Sequence, residues 1–434
     1  MLKYFKHHFH SIASLVIRGL SVLAGFGVTY YIGHYLGPAA NGQYALIAQT
    51  AMFLSVVAVG GIDLAVVKEF SAGVAKKLPL NRRTFFATTS YSMTFAIAII
   101  AFLLLGGAPL LARISKDVVP DNLLVVLCVM LLARTLTRLM SAVLRSQRDY
   151  ILGQTVEVLF IPGFVLLAIM TGLIRTLDEL LWCTAVGGII SGIIGVVASL
   201  RFTRTQGETH TASMRGILKM AGPLWGVAIA LNIADWYSLA TVAAVLGMFE
   251  AGIYRVALQM GSMLSIVSMG LYGVFSAQIG VAFAAQDKPE VARLARSATM
   301  LSLVMIMPAT ILLFLFARPI LSIVGPEFAQ GATILRIMVV GQAIYTITGP
   351  SGLVLALTGH ERVNLLITTV STVSLLIVAP VAAHLAGLIG ITLYVALILV
   401  GRNIASLYAM KKLEGINCIT GKLNHASFGR VASS

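Results

Sequence analysis

Long apolar segments follow one another along almost the whole chain and are separated by short polar connections. Each is about 20 residues or longer, the length that an α-helix needs to cross the hydrocarbon core of a bilayer. The short connections predict that neighbouring helices run antiparallel. The pattern predicts twelve spans, at 11–33, 44–67, 85–107, 121–144, 154–173, 179–200, 220–245, 251–282 (overlong), 297–316, 331–356, 363–384 and 386–410, the last two split near Gly387.

A fourteen-residue motif occurs once in each half of the chain, after the first long apolar segment of that half. Residues 36–49 read LGPAANGQYALIAQ, and residues 246–259 read LGMFEAGIYRVALQ. Internal repeats are common among transporters. Five columns are identical, namely Leu36/Leu246, Gly37/Gly247, Gly42/Gly252, Tyr44/Tyr254 and Gln49/Gln259. The motif predicts an N-terminal six-helix lobe at 1–200, a linker at 201–219, a C-terminal six-helix lobe at 220–412 and a tail at 413–434.

The composition agrees with this pattern. Apolar residues make up 58% of the chain and charged residues only 11%, whereas a soluble domain carries about 25% charged residues. Such a chain has too little polar surface to cover a water-facing globule, so it is predicted to be an all-α polytopic membrane protein. The three cysteines, Cys128, Cys183 and Cys418, have no metal-site or CxxC spacing, so we expect no disulfide, metal or other cofactor.

The net charge of +15 would suggest nucleic acid as a partner of a soluble protein, but here it predicts the topology instead. Basic residues collect in cytoplasmic connections. Only Arg113, Lys116, Arg175 and Arg318 fall in the connections of the opposite side. Both termini and the linker are therefore predicted to be cytoplasmic, and the polar tail to be mobile. Two lobes of six helices would insert the same way up, related by a pseudo-twofold axis along the membrane normal.

Five arginines fall inside predicted spans, although a charge at the bilayer centre costs about 3 kcal/mol or more. They are Arg18, Arg134, Arg138, Arg255 and Arg336. Arg134 and Arg138 are one helical turn apart, and Arg145 shares their face at about 100° per residue. We predict a basic stripe that faces a water-filled cavity. Snorkelling to the headgroups is the alternative for the others, inward for Arg18 and outward for Arg255 and Arg336, and it suits the mid-span Arg134 least.

Three acids also lie inside the spans. Asp235 is in the middle of LNIADWYSLA, beside Trp236 and close to Asn232. It is a candidate for cation coupling, with a salt bridge to an arginine as the alternative. Asp63 and Glu157 lie near inner ends of their spans, where pairing with Lys68 or Arg145 would explain them without transport.

Motifs of the common enzyme classes are absent from the sequence. It contains no GxxxxGK[ST] loop, no HExxH and no GxSxG in a strand–turn–helix context. The sequence therefore predicts a non-enzyme whose energy comes from an ion gradient or from the gradient of its own substrate.

Three stretches together resemble a known family over most of the chain. The run YYIGHYLGPAANGQYALIAQ followed by VGGIDLAVVKEFS is similar to the opening of the oligosaccharide/polysaccharide flippases of the multidrug/oligosaccharidyl-lipid/polysaccharide exporter superfamily, where an LGxxxxGxY segment links helices one and two. The run NIADWYSLATVAAVLGMFEAGIY resembles their seventh and eighth helices. The stretch 316–365, with its GPEF turn and its TG before a charged loop, resembles their ninth to eleventh helices.

The resemblance implies two six-helix lobes around a central cavity that opens to each side of the bacterial cytoplasmic membrane in turn. It implies export of undecaprenyl-diphosphate-linked oligosaccharide to the outer leaflet, for O-antigen, capsule or exopolysaccharide, possible coupling to H⁺ or Na⁺, and a polymerase and glycosyltransferases as possible partners. The five arginines could supply the cationic cavity of such a flippase. Twelve spans rather than fourteen argue against the lipid II flippase branch. Two alternatives remain open: a cation-coupled multidrug antiporter of the same superfamily, and an assembly partner without transport.

Overall fold

The computed structural model describes residues 2–107, 121–205 and 213–421, and almost all of them are helical. In the first half the helices are α1 (Leu2–Tyr31), α2 (Gly37–Val59), α3 (Ile62–Ala75), α4 (Arg82–Phe102), α5 (Asp121–Ser146), α6 (Tyr150–Gln154), α7 (Phe160–Met170) and α8 (Leu177–Leu200). Three π-helical turns, Ile32–Leu36, Leu103–Gly107 and Thr155–Leu159, interrupt or extend them. In the second half they are α9 (Met214–Leu246), α10 (Met248–Ala284), α11 (Lys288–Leu315), α12 (Ala317–Val324), α13 (Ala332–Ile347), α14 (Ser351–Leu357) and α15 (Glu361–Glu414), with a 3-10 turn at Pro326–Gly331.

The number of spans in the described residues agrees with the sequence prediction. Nine helices are long and apolar enough to cross a membrane, or ten with the bent pair Pro326–Ile347 and Ser351–Leu357. Two of the nine are long enough for two spans each: Val16–Val59, which is interrupted at the π-helical turn before Gly37, and Glu361–Glu414. The second has non-helical backbone at Ala386 and Gly387, which confirms the split predicted there. Counted in this way, the described residues form twelve spans.

The chain divides into two compact units, Met1–Trp236 and Tyr237–Ser434. The division falls inside α9 and not at the predicted linker. Residues 206–212 of that linker lie outside the described residues, while Met214 onward is already helical. The lobe boundaries read from the sequence stay a prediction.

The first glycine of the sequence motif adopts a similar backbone conformation in both copies. Gly37 has φ 82° and ψ 176°, and Gly247 has φ 106° and ψ 173°. Each glycine donates its N–H to the carbonyl five residues earlier, Gly37 to Ile32 and Gly247 to Val242. Glycine adopts positive φ without the steric clash that a Cβ causes in other residues. The LG that both copies of the motif share therefore marks a break between two consecutive helices in each half.

In the first unit, two consecutive glycines end α2 and start α3. Gly60 and Gly61 both have positive φ, at 64° and 73°, so the predicted span 44–67 is a helix that stops at Val59 and restarts at Ile62. A Cβ on Gly61 would lie 2.4 Å from the carbonyl oxygen of Ala221. The helix break is therefore also a point of close contact with α9.

Apolar packing surrounds this break. Val59, Ile62, Phe70, Leu139 and Ile217 are among the buried residues of one cluster, contributed by α2, α3, α5 and α9. A short parallel pair of strands, β1 (Leu80–Asn81) and β2 (Thr203–Arg204), joins two connections of the same unit.

In the second unit, the beginning of the predicted tail is packed and not mobile. Ile416 and Cys418 have no exposed surface and belong to an apolar cluster with Val291 and Val354. The Thr299 hydroxyl donates to the Cys418 carbonyl at 3.2 Å. The prediction of a mobile tail was therefore wrong for 415–421, because its two apolar side chains find a pocket between helices. Residues 422–434 lie outside the described residues.

Candidate functional site

The basic stripe predicted from the sequence lies on α5, in the first unit. This helix packs against α2, α3 and α8, and Leu127 and Met130 in its first half are buried in an apolar cluster. Towards the other end the same side of the helix becomes polar, with Arg134, Arg138 and Ser141 at intervals of four and three residues. This is the spacing that keeps side chains on one helical face.

Arg138 is paired with an acid. Its Nε atom lies 2.7 Å from Oδ2 of Asp63, whose side chain is only 5% exposed. Asp63 belongs to the first turn of α3, where the helix dipole also favours a negative charge. The expected pairing of Asp63 with Lys68 is therefore replaced by a contact across 75 residues, because the break at Gly60 and Gly61 restarts the helix and turns Asp63 towards α5.

Glu157 forms the second acidic partner of this face. It lies in the π-helical turn Thr155–Leu159, a feature that is frequent at functional sites. Its Oε2 atom accepts a hydrogen bond from the Ser141 hydroxyl at 2.6 Å and lies 3.4 Å from Nη2 of Arg145. The pairing of Glu157 with Arg145 that the sequence suggested is thus present.

Arg134 differs from its two neighbours on the stripe. It is half-buried and lies within electrostatic range of Tyr44 and Glu157. Among the described residues, no carboxylate lies within the 4 Å of an ion pair with Arg134. A half-buried guanidinium of this kind retains hydrogen-bond donors for an anion.

Two polar residues of α2, Tyr44 near this arginine and Asn41, were not selected from the sequence as site residues. The Tyr44 hydroxyl lies 3.3 Å from the Thr184 hydroxyl of α8. Asn41, one turn earlier, is 2% exposed, and its Nδ2 atom has no partner among the described residues. The signal for Tyr44 was available, because it is an identical column of the repeated motif.

The first unit contains two further candidates, Asp235 and Arg18. Asp235 is exposed on α9, in the turn that follows Asn232, whose side chain is bonded to the Ala228 carbonyl. Its neighbour Trp236 donates to the Thr50 hydroxyl at 3.0 Å and stacks on Phe53 at 4.8 Å. Arg18 is exposed on α1.

The second unit contains the remaining two arginines. Arg255 is half-buried on α10, next to the fully buried Tyr254 of the motif. The Nε atom of Arg336 donates to the Phe314 carbonyl at 3.1 Å, and its guanidinium lies 5.9 Å from the Phe314 ring centre. Arg336 thus binds the end of α11, where unpaired carbonyls attract a cation.

The chemistry of the α5 face is that of anion binding. Three arginines and two acids share it, so it carries an excess of positive charge even when both acids are ionised. Nowhere in the described ranges are three His, Cys, Asp or Glu side chains grouped so that they could hold a metal ion.

Comparison with known protein families identifies the family to which the chain belongs. The family described as polysaccharide biosynthesis protein matches residues 10–275, which is more than half of the sequence, and the chain belongs to this family. The MatE family matches residues 223–381. Comparison with curated proteins finds no match. The resemblance predicted from the sequence motifs is confirmed at this level.

Solved structures show the same fold. A multidrug resistance MATE family transporter of the MOP superfamily, in an inward-facing conformation, has a TM-score of 0.71 at 13% identity, covering 92% of this chain and 97% of the other. The lipid II flippase MurJ has 0.63 at 13%, covering 93% and 87%. A MOP superfamily transporter from Pyrococcus furiosus, described as having a binding pocket of reversed polarity that suggests a different function, has 0.56 at 13%, covering 92% of each chain.

The fold is therefore the all-α polytopic membrane fold of this superfamily, as the sequence predicted. The solved structures that share this fold are transporters and a flippase.

Proposed function

We propose that this protein is a flippase that moves undecaprenyl-diphosphate-linked oligosaccharide from the inner to the outer leaflet of the bacterial cytoplasmic membrane, for O-antigen, capsule or exopolysaccharide synthesis. The observation that carries the proposal is the basic face of α5, with the half-buried Arg134 left without a carboxylate partner in the described part of the chain.

A diphosphate is the chemical group that fits this face best. A guanidinium binds phosphate oxygens through two parallel hydrogen bonds and stays charged when it is partly dehydrated. Both acids of this face already have partners. Asp63 pairs with Arg138, and Glu157 contacts Ser141 and Arg145. We propose that Arg134 contacts the diphosphate, that Arg138 contributes to the positive potential, and that Arg18, Arg255 and Arg336 serve as further cationic contacts along the route.

We propose that Asp235 supplies coupling to H⁺ or Na⁺. Its carboxylate is exposed on a membrane-spanning helix, a position that is costly unless the group has a function. Asp235→Asn is expected to reduce export strongly without lowering the amount of protein, and Asp235→Glu to reduce it less. Full export by Asp235→Asn across a range of pH and sodium concentrations would rule out this role.

The test of the flippase proposal is the position of the lipid-linked oligosaccharide in cells that lack the protein. The oligosaccharide should accumulate on the cytoplasmic face, and the wild-type gene should restore its exposure outside. Reporter fusions at residue 210 and after residue 415 should both report a cytoplasmic location. An unchanged distribution of oligosaccharide in the deletion strain would favour an assembly partner of a polymerase or glycosyltransferases instead.

A multidrug antiporter is the second candidate, and the match of residues 223–381 to the MatE family favours it. An antiporter of organic cations needs acids in its cavity, whereas the α5 face has more arginines than acids. The Pyrococcus furiosus transporter, described as having a binding pocket of reversed polarity, suggests that the polarity of the pocket varies among proteins of this fold. Drug resistance conferred by the expressed protein, with normal distribution of lipid-linked oligosaccharide in the deletion strain, would decide for the antiporter.

A further inference from the structure

Four aromatic rings form one continuous group where α1 ends. Tyr30 and His34 stack with centroids 5.4 Å apart and planes 16° apart. Tyr31 and Tyr35 lie 5.0 Å apart, and an edge-to-face contact of 4.9 Å between His34 and Tyr35 joins the two pairs. Both pairs have the i, i+4 spacing of side chains on one helical face.

The backbone beneath these rings is fixed while the rings face outward. The π-helical turn Ile32–Leu36 carries His34 and Tyr35, and its Ile32 is fully buried. The Tyr31 hydroxyl donates to the carbonyl of the buried Ile174 at 2.6 Å. Tyr35 nevertheless keeps 67% of its surface exposed and Tyr30 keeps 38%. The result is a rigid aromatic platform, formed by Tyr30, His34 and Tyr35 with Tyr31 as its anchor.

Anchoring at the membrane interface is the ordinary reason for tyrosines at a helix end, and the second half of the chain provides a control for it. There the same break occurs, with Gly247 in the conformation of Gly37 and the same hydrogen bond to the carbonyl five residues earlier. The residues at the four corresponding positions are Ala240, Thr241, Ala244 and Val245. If the two halves insert in parallel, as predicted, both breaks reach the same depth. A helix break of this kind therefore does not require aromatic rings. The platform is a feature of the first half that the second half lacks at the corresponding positions.

We propose that the aromatic platform binds a sugar ring of the exported oligosaccharide. The face of an aromatic ring carries partial negative charge and attracts the weakly positive C–H groups of a pyranose face. The Tyr hydroxyls and His nitrogens at the ring edges can donate to and accept from sugar hydroxyls. The charge asymmetry of the connections predicts that this end of α1 is outside, the side on which the sugar chain must leave. This inference rests on the proposed function and adds a contact for the glycan to the contact for the diphosphate.

The test compares binding of two carriers to the purified full-length protein: undecaprenyl-diphosphate-linked oligosaccharide from cells that lack the protein, and undecaprenyl diphosphate without sugar. The variant His34→Ala/Tyr35→Val installs the residues found at the corresponding positions of the second half. It should lose about tenfold in affinity for the sugar-bearing carrier, the scale of two aromatic contacts, and nothing for the sugar-free carrier. Tyr35→Phe keeps the ring and should retain most of the affinity.

The outcomes separate the two proposals. Equal affinity of the wild-type protein for both carriers, or an unchanged preference in the double variant, would overturn the platform while leaving the flippase proposal intact. A variant with lower thermal stability in lipid but unaltered affinities would identify the rings as an interface anchor. Failure of the wild-type protein to bind either carrier would overturn the proposed function itself. Tyr35→Val alone, at a mostly exposed position, provides the measurement if the double variant does not fold.

Discussion

The Nε atom of Arg138 and the Oδ2 atom of Asp63 lie 2.7 Å apart and connect α5 to the first turn of α3. The contact distinguishes Arg138 from Arg134 within the basic stripe. Arg138 is held by an acid whose side chain is 5% exposed, whereas Arg134 has no carboxylate within 4 Å in the described ranges. Structural support and substrate contact can therefore be tested separately on one helix.

The Arg138–Asp63 pair should respond to single and double substitution in different ways. Asp63→Leu leaves a mostly buried guanidinium without its counter-charge, and we expect the protein to lose about 3 kcal/mol of stability. Replacing both residues, as Asp63→Leu/Arg138→Met, should recover most of that loss, because no unpaired charge remains. Thermal unfolding of the purified protein in detergent measures both effects.

Glu290→Gln is the matched control for that series. It breaks the pair of Glu290 with Arg293, whose side chains are 34% and 68% exposed, and surface pairs contribute about 0–1 kcal/mol. If the double variant Asp63→Leu/Arg138→Met were as unstable as Asp63→Leu, the loss of stability would come from lost packing and not from the unpaired arginine.

Gly61 and Gly60 form a second matched pair of sites. Both have positive φ, so alanine at either one should cost about 1 kcal/mol through backbone strain. An added Cβ on Gly61 would also collide with α9, at 2.4 Å from the Ala221 oxygen and 2.7 Å from the Trp225 nitrogen, whereas no atom of the described residues lies within 4 Å of one on Gly60. Gly61→Ala should therefore lower the melting temperature clearly more than Gly60→Ala. Equal effects would mean that α9 does not press on this break in solution.

The same glycines show where sequence reasoning succeeded and where it stopped. Helical periodicity was sufficient to place Arg134 and Arg138 on one face and to count the spans. It treated 44–67 as one helix, so the sequence offered Lys68, five residues away, as an alternative partner for Asp63. The true partner, 75 residues away, depends on a helix break and on how α3 packs against α5, which are tertiary facts. Two adjacent glycines in an apolar run were a visible sign of that break.

The tail illustrates a second limit. Its overall polarity predicted mobility, but burial was decided by two side chains, Ile416 and Cys418. Composition gives the average polarity of a segment, whereas burial between helices depends on its individual side chains. Tyrosines at a helix end are ordinarily explained as interface anchors, and for the rings at the end of α1 it is their mutual contacts and the absence of aromatic residues at the corresponding positions of the second half that suggest another role.

Cys418 offers a test of the packed segment 415–421. Burial raises the pKa of its thiol to about 11, so at pH 8 the thiol is neutral and also inaccessible. In a Cys128→Ser/Cys183→Ser background, iodoacetamide should leave Cys418 unmodified at pH 8 until the protein unfolds. Because a raised pKa favours the neutral thiol in the folded state, its contribution to stability is complete below pH 9 and declines as the pH approaches 11. Rapid modification of the folded protein at pH 8 would show that the segment is open in solution.

Arg134 provides the most direct test of the proposed diphosphate contact. Arg134→Ala removes a charge-assisted hydrogen-bond donor worth about 1.5–3 kcal/mol, so affinity for undecaprenyl-diphosphate-linked oligosaccharide should fall roughly tenfold to hundredfold. Arg134→Lys keeps the charge but loses the planar fork, so it should restore binding only in part. Arg138→Lys is the control on the same face, since its partner Asp63 can still accept from an ammonium group. A cysteine introduced by Arg134→Cys should react with water-soluble thiol reagents when the cavity is open inward, because the face that carries it is proposed to line water. Normal export by Arg134→Leu, together with an unreactive introduced thiol, would show that Arg134 is a structural residue. That result would contradict the proposal that the α5 face binds an anion.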